Sequence, residues 1–301
     1  MKIKKLVIAV TFHYKEARVK YLKKIASQFH LLSEEVSVHI FTNEADEDTK
    51  LILIDHVKHG RNFEVEIHTP TYLGHAKLLT WSHLYYFRKL FNSDLSISHF
   101  MYLEDDIFIT PQNIEYWLKA REELKTEMLI PSFLRYEHRK DYKDLYATDC
   151  TKRVNFFELP KIKISSNYYY LNLPEPYQGM YLLDRELMSE HLNGASSIPE
   201  YTPWGISEKA AAGLTFMNVP QACYSRNFVG YDLKNKRIDQ NSLINHLPNN
   251  YANNSASPHG KIKVDELVIF NMFSFIISNL LDHPLFPKIF LRYLGRRRQK
   301  M

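Results

Sequence analysis

The sequence predicts an α/β protein: a single domain on a mainly parallel central sheet flanked by helices, followed by an apolar and then basic helical tail. Two observations carry this. Strand-like and helix-like runs alternate through the first half, the pattern of a parallel sheet whose crossovers are helices. The apolar run at 98–103 then ends directly on Glu104, Asp105 and Asp106, at the strand end where open α/β sheets bind their ligands.

Residues 5–12 (KLVIAVTF) are a β-rich run that opens the sheet; it ends near His13 without the small-residue cleavage site of a signal peptide. Residues 16–32 have helical spacing, with Val19, Leu22, Ile25 and Phe29 on one side. Residues 36–42 are the second strand, and 63–68 a weaker alternating third. Residues 76–90 read as an amphipathic helix, 98–103 as a buried strand, and 113–125 as the helix that follows Pro111. From about 130 to 200 the pattern is less regular and holds FLRYEH and the cluster Tyr168, Tyr169, Tyr170, which suits a substrate-facing region better than a framework. Residues 249–257 (NNYANNSAS) are a polar loop. In the tail, 268–281 (VIFNMFSFIISNLL) keeps Asn271, Ser274, Ser278 and Asn279 on one helical stripe, leaving a broad apolar face.

At 301 residues the chain can bury a sizeable core, and 45% hydrophobic with 24% charged residues is ordinary for a globular protein. Its 20 Tyr and 18 Phe offer flat faces for sugars or bases, or simply an aromatic core. The net charge of +5 falls within residues 261–301, where eight Lys and Arg face three Asp and Glu. Nucleic-acid binding is discounted, because it would place positive charge along the folded body. The two cysteines, Cys150 and Cys223, have no metal-ligand spacing and point to a reducing, cytoplasmic setting. The tail run is too short to span a bilayer; it would either lie on an anionic membrane face, helped by Arg296, Arg297, Arg298 and Lys300, or pack on the domain.

Continued as a strand, Glu104 and Asp106 would share one face and Asp105 the other. Two carboxylates on one face suit Mg²⁺ or Mn²⁺, hard ions that take one or two protein carboxylates and fill their other positions with water and phosphate oxygens. The plainer alternative is an acidic turn capping the helix near Pro111.

The string HFMYLEDDIFIT before Pro111 resembles the strand-plus-acid motif of GT-A-fold glycosyltransferases of the bacterial polysaccharide and lipopolysaccharide type, and its EDD is similar to that of N-acetylglucosaminyltransferases. The resemblance implies Asp106 as metal ligand, with Glu104 and Asp105 holding the nucleoside. VIAVTFHY resembles the first strand and uridine-facing loop, which implies Thr11 and Tyr14 near the base. GHAKLLTWSH resembles the helix that brings Lys77, Trp81 and His83 to the donor. PYQGMYLLDREL and WGISEKAAAGL resemble the acceptor side, and HLPNNYANNSASPHGK the closing loop. The chain is accordingly divided into a catalytic domain, 1–263, with a nucleotide-sugar half at 1–130 and an acceptor half at 131–263, and, where it turns apolar and then basic, a tail at 264–301. Ile206-Ser207-Glu208 departs from the family pattern, having one acid where many inverting members have a pair.

The expected activity is metal-dependent, inverting transfer of a hexosyl or N-acetylhexosaminyl group from a UDP-sugar to a cell-surface glycan. Glu208 is the candidate base; the alternatives are that it is only an acid favoured at a helix start, or that Asp184 is the base. His246 is either a second metal ligand from the closing loop or a structural histidine. Trp204 and Tyr170 are either acceptor platforms or core. A nucleotidyltransferase shares this type of sheet, but TFHYKEAR lacks the glycine-rich phosphate loop such enzymes carry after the first strand. A non-catalytic glycan-binding protein is the other alternative.

Overall fold

The computed structural model describes residues 2–44, 46–60, 63–71, 73–140, 143–199 and 205–271. The first half runs β1 (Ile3–Phe12), α1 (Glu16–Phe29), β2 (Ser33–Thr42), α2 (Glu47–Val57), β3 (Phe63–His68), α3 (His83–Ser93), β4 (His99–Glu104), β5 (Ile107–Phe108) and α4 (Pro111–Leu124). The second half runs β6 (Ile130–Pro131), β7 (Leu134–His138), β8 (Leu145–Ala147), β9 (Val154–Asn155), β10 (Lys161–Lys163), β11 (Tyr168–Leu171), β12 (Met180–Asp184), α5 (Arg185–Asn193), α6 (Ile206–Ala210), β13 (Asn227–Asp232), β14 (Arg237–Ile238), β15 (Leu243–His246), β16 (Ile262–Lys263) and β17 (Val268–Ile269).

The chain is α/β, with mixed sheets and helices. Its first sheet has the order β12-β4-β1-β2-β3. The pairs β1–β2, β1–β4 and β2–β3 are parallel, and β12 runs antiparallel to β4 at one edge. β1 is buried along nearly its whole length (Leu6 to Phe12), as expected of a strand covered on both faces. α1 turns Leu22, Ile25, Ala26 and Phe29 onto this sheet; each large apolar side chain so buried stabilises the fold by about 1.5–3 kcal/mol.

Two local readings shift. The helix expected at 76–90 is a 3-10 segment, Ala76–Trp81, followed by α3. His75 begins the 3-10 segment by accepting the Lys77 N–H. The unanticipated α2 starts at Asp46, whose carboxylate accepts the Thr49 N–H, and it buries only Leu53 and Val57, too sparse a stripe to stand out in sequence.

The irregular middle is built of small sheets: β10-β11-β13-β14 with β6 added to β13, β16-β8-β7-β15-β5, and the pair β17–β9. They enclose a second apolar cluster that includes Leu134, Phe156, Leu171, Tyr231, Val264, Leu267 and Val268, with Phe270 packed against it. A tail starting at 264 is therefore corrected. Residues 264–271 belong to the body, and Val268 and Ile269 form a strand instead of opening a helix, because their backbone pairs with β9 while Val268 is buried in the second cluster and Ile269 stays exposed. The rest of the predicted tail helix and its basic end lie outside the described residues. Among the described residues, no helix is long and apolar enough to cross a membrane.

α3 and α5 each turn a fully buried histidine into the core. His83 Nδ1 lies 2.7 Å from the Thr80 carbonyl, which can only accept, so Nδ1 carries the proton; Nε2, 2.6 Å from the Tyr181 hydroxyl, accepts in turn. His191 faces Ser196 Oγ at 2.8 Å. Burial pushes both imidazoles from 6.5 down to about 3. Their folded pKa values are depressed, so their contribution to stability is complete above about pH 6.5 and declines as pH falls toward 3, by up to about 1.4 kcal/mol per pH unit for each histidine. Urea unfolding at pH 6 and pH 4.5 is expected to show a shallower pH dependence in His191→Gln than in wild type. Equal slopes would mean that His191 is not held neutral.

Candidate active site

β4 ends at Glu104, and Asp105 and Asp106 form the turn into β5. Strand alternation therefore stops at Glu104, and all three acids line one cavity of about 260 Å³ with Thr11, Thr80, Tyr102, Arg18 and Ser207. Nor do they cap the next helix. α4 begins with Pro111, and Asn113 Oδ1 accepts the Thr110 N–H 2.8 Å away.

The three carboxylates draw their partners from several parts of the chain. Arg18, in the first turns of α1, donates Nε to Asp105 Oδ2 at 2.8 Å, and its Nη2 reaches both Asp105 Oδ1 and Asp106 Oδ2, the latter at 2.9 Å. Glu104 accepts from the Tyr177 hydroxyl and lies 3.8 Å from Arg135 Nη1. Arg135 is itself clamped on Asp149 by two hydrogen bonds of 2.8 and 2.6 Å, beneath the Tyr177 ring. Gly179 closes this corner at φ +65°: a Cβ there would lie 2.8 Å from Glu104 Oε2 and 3.0 Å from Ile107 Cγ1.

His246 reaches the site because β15 pairs with β5, setting His246 opposite Ile107, while the Leu247 N–H donates to the Asp106 carbonyl at 2.9 Å. Its Nδ1 is hydrogen-bonded to Glu137, a carboxylate with no solvent exposure that also accepts the Ala252 N–H. Its Nε2 points to Asp106 Oδ2 at 3.7 Å, an electrostatic approach longer than a hydrogen bond. The polar loop at 249–257 is fastened onto β7: Asn249 Oδ1 accepts the His138 N–H and Asn253 Oδ1 accepts the Lys140 N–H. Gly260, at φ +68°, lets the loop cross itself, since a Cβ would lie 2.6 Å from the Ala252 nitrogen. Tyr251 then stacks on His246 with ring centroids 5.4 Å apart.

A second cavity of about 500 Å³ shares Arg18, Glu104 and Asp106 with the first and continues past Arg135, Tyr177, His246, Tyr251 and Glu208. Glu208 is exposed on the five-residue α6, its carboxylate folded back over Gly205. Trp81 fixes this helix by donating Nε1 to the Ile206 carbonyl at 2.8 Å. Ser207 thereby faces the smaller cavity and Glu208 the larger.

The electrostatics follow from burial. Burial pushes Glu104 up to about 7, against the pull of Arg135. Asp105 is likewise raised by burial to about 6 despite its bonds to Arg18, with the Asp106 charge adding to the rise. Burial pushes Asp106 up too, but His246 and Arg18 outweigh it and hold the carboxyl below its usual value. Among the described residues, three oxygens of residues that line the smaller cavity are buried without a hydrogen bond of standard geometry: Asp106 Oδ1 and the hydroxyls of Thr11 and Tyr102, which interact with each other.

Of the residues singled out in sequence, Thr11, Glu104, Asp105, Asp106, His246 and Glu208 line this pair of cavities. Tyr14 packs edge-on against Phe12 and donates its N–H to Asn43, outside both linings. Lys77 is exposed at the start of the 3-10 segment, and Trp81 and His83 are buried beneath it; Thr80 is the member of that segment that faces the cavity. Tyr170 is no acceptor platform: it is 1% exposed in the β11 sheet and donates its hydroxyl to Glu123. Asp184 cannot substitute as base. Being opposite His99 in the antiparallel β12–β4 pair, it sits at the far end of the strand from Glu104, where it caps α5 and pairs with Arg121. Trp204 lies outside the described residues. Sequence reading missed Arg18, Arg135, Glu137, Asp149 and Tyr177. Arg135 and Glu137 did leave a signal, two opposite charges at i and i+2 on a strand-like run that opens with Phe133 and Leu134.

Arg135→Met would leave half-buried Asp149 and Glu104 without their buried guanidinium and is expected to cost about 3–5 kcal/mol. In Arg135→Met/Asp149→Leu much of that loss should return, because the uncompensated charge is removed with its partner. Denaturant midpoints of both variants check this; an undiminished loss in the double variant would assign the cost to packing.

Comparison with models of known protein families finds no match for this chain, and comparison with curated proteins finds none, so the chemistry is argued from the residues that meet at Asp106.

Proposed function

We propose that the protein transfers a sugar from a UDP-sugar donor to a hydroxyl of a cell-surface glycan, with Mn²⁺ or Mg²⁺ held at Asp106 and His246. The observation that carries this reading is the state of those two residues where the two cavities meet. Asp106 Oδ1 is buried without a partner, and His246 presents Nε2 while its Nδ1 is bound to the Glu137 carboxylate. A carboxylate behind the imidazole is the usual outer support of a metal-ligating histidine. One carboxylate and one imidazole suit Mn²⁺ and leave its other positions to water and phosphate oxygens. Such an ion supplies Lewis-acid stabilisation of the charge that develops on a departing diphosphate.

The remaining residues fit the same reading. Arg18 offers a fixed guanidinium for phosphate oxygens beside the acid turn. Thr11, Thr80, Tyr102 and Ser207 give the smaller cavity a polar lining that suits a nucleoside. The larger cavity accommodates an acceptor, and Glu208 on its wall is the base that takes the proton of the attacking hydroxyl in an inverting transfer. The EDD resemblance points the same way. A membrane-bound acceptor reached through the basic tail belongs to this proposal too, but that tail lies outside the described residues.

Incubation with a panel of nucleotide sugars and Mn²⁺, scoring free nucleotide, tests the reading. Turnover of a UDP-sugar is expected to stop in excess chelator and return with Mn²⁺ or Mg²⁺, and Asp106→Ala should be folded but inactive. Full activity in that variant, or no turnover of any donor and acceptor mixture, refutes it.

Glu208→Gln keeps the shape and removes the proton acceptor, so kcat should fall by about 10²–10⁴-fold with donor affinity unchanged. A kcat within about threefold of wild type would exclude Glu208 as base.

A further inference from the structure

We propose that His39, Glu66 and His68 form a binding site for a zinc-type divalent ion, distinct from the acid turn. The three residues come together through strand register. In the parallel β2–β3 pair His39 lies opposite Glu66 and Phe41 opposite His68, so alternate residues of both strands bring all three side chains to one face. His39 Nδ1 lies 2.9 Å from His68 Nε2 and 3.4 Å from Glu66 Oε2, and His68 Nε2 is 3.7 Å from the same oxygen. Zinc bonds of about 2.0–2.2 Å in a tetrahedron put neighbouring donors about 3.3–3.5 Å apart. The three separations straddle that edge length, so an ion fits with shifts of a few tenths of an ångström.

The surroundings suit ligation. Both nitrogens that face each other must be bare to bind an ion, and the ring proton of His39 then belongs on Nε2. That atom is 3.0 Å from Ser37 Oγ, a ready acceptor that fixes the ring. Tyr86 of α3 lies against His68 with ring centroids 4.0 Å apart, and Phe41, itself in contact with Tyr86, stacks on His68 at 4.8 Å, so the two rings hold the imidazole in place. The Glu66 side chain is 63% exposed, leaving a route for an ion to enter with water as its fourth ligand. β3 is the edge strand, so an ion here would staple it to β2.

Ligand chemistry separates this site from the acid turn. Two imidazoles and one carboxylate favour zinc over Mg²⁺ or Mn²⁺, whereas the oxygen-rich turn favours the harder ions. The two also stand apart in space. Glu104, Thr11, Phe41 and His68 are successive partners across four strands, three strand spacings of about 4.8 Å each.

The test is zinc titration of chelator-stripped full-length protein against a chromophoric zinc indicator, in excess Mg²⁺ to occupy hard oxygen sites. Wild type is expected to hold one zinc per chain and to melt at a higher temperature with zinc than without. Affinity should fall at least about tenfold in Glu66→Gln, whose exposed side chain leaves folding intact, and further in His68→Gln, while Asp106→Asn keeps it. Absorption of bound Co²⁺ in the tetrahedral range should disappear in His68→Gln. Failure of the wild type to retain zinc overturns the proposal. So does zinc that is undiminished in Glu66→Gln and lost in Asp106→Asn.

Discussion

Glu104, Asp105 and Asp106 leave the end of β4 at a point where little water reaches them, and the surrounding architecture answers that crowding. Two like charges about 4 Å apart at an effective dielectric near 20 repel by about 4 kcal/mol, comparable to a large part of a domain's net stability. Arg18 from α1, Arg135 from β7 and His246 from β15 all converge on the turn. Each arrives from a different part of the chain, so the acid turn ties the first sheet to the small sheets of the second half. Compensation is still incomplete. Glu137 and Asp149 add carboxylates behind the very groups that neutralise the turn, so acids outnumber guanidiniums and one oxygen of Asp106 stays unpaired. That residual negative charge, on a residue that lines both cavities, is the physical basis for the proposed cation.

Much of the first half was legible from the sequence because its elements have strong periodic signals. β1, β2, β4 and α1 are long and apolar on the faces they bury, and pattern alone located them. The acid turn was legible for a different reason: a polar cluster ending a buried strand has no structural explanation in the strand itself. The chemistry assigned to Thr11, Asp106, His246 and Glu208 came from the EDD resemblance or from residue type, and the structure brings these residues to adjoining cavities without deciding their roles.

What the sequence hid depends on long-range register. His246 sits opposite Ile107 only because β15 is inserted between β5 and β7, and no local pattern in a four-residue strand specifies such a partner. The tyrosines at 168–170 misled for a related reason. A short strand of large amphipathic rings looks like a binding surface, yet cross-strand pairing with β13 turns Tyr170 inward and gives its hydroxyl to Glu123. Val264 to Phe270 were equally ambiguous: an apolar run beside a basic end reads as a tail, until the β9 strand and the second core supply its partner.

The placement of Glu208 illustrates how a buried residue governs an exposed one. α6 has five residues and cannot hold its position by its own hydrogen bonds, since helix nucleation alone is unfavourable at that length. Trp81 supplies the missing constraint by burying its ring in the main core and donating to the Ile206 carbonyl. The indole therefore acts one step away from the cavities: it does not line either, yet it decides which residues of α6 do. Ser207 and Glu208 are consecutive and point about 100° apart on the helix, so a single anchor directs one toward the smaller cavity and the next toward the larger. In the proposed reaction that division matters, because donor and acceptor must be held by separate walls while the attacking oxygen crosses between them. The resemblance assigned Trp81 to the donor directly; in the proposed reaction its contact with Ile206 gives it a positioning part, since its loss would misplace the wall that the two cavities share.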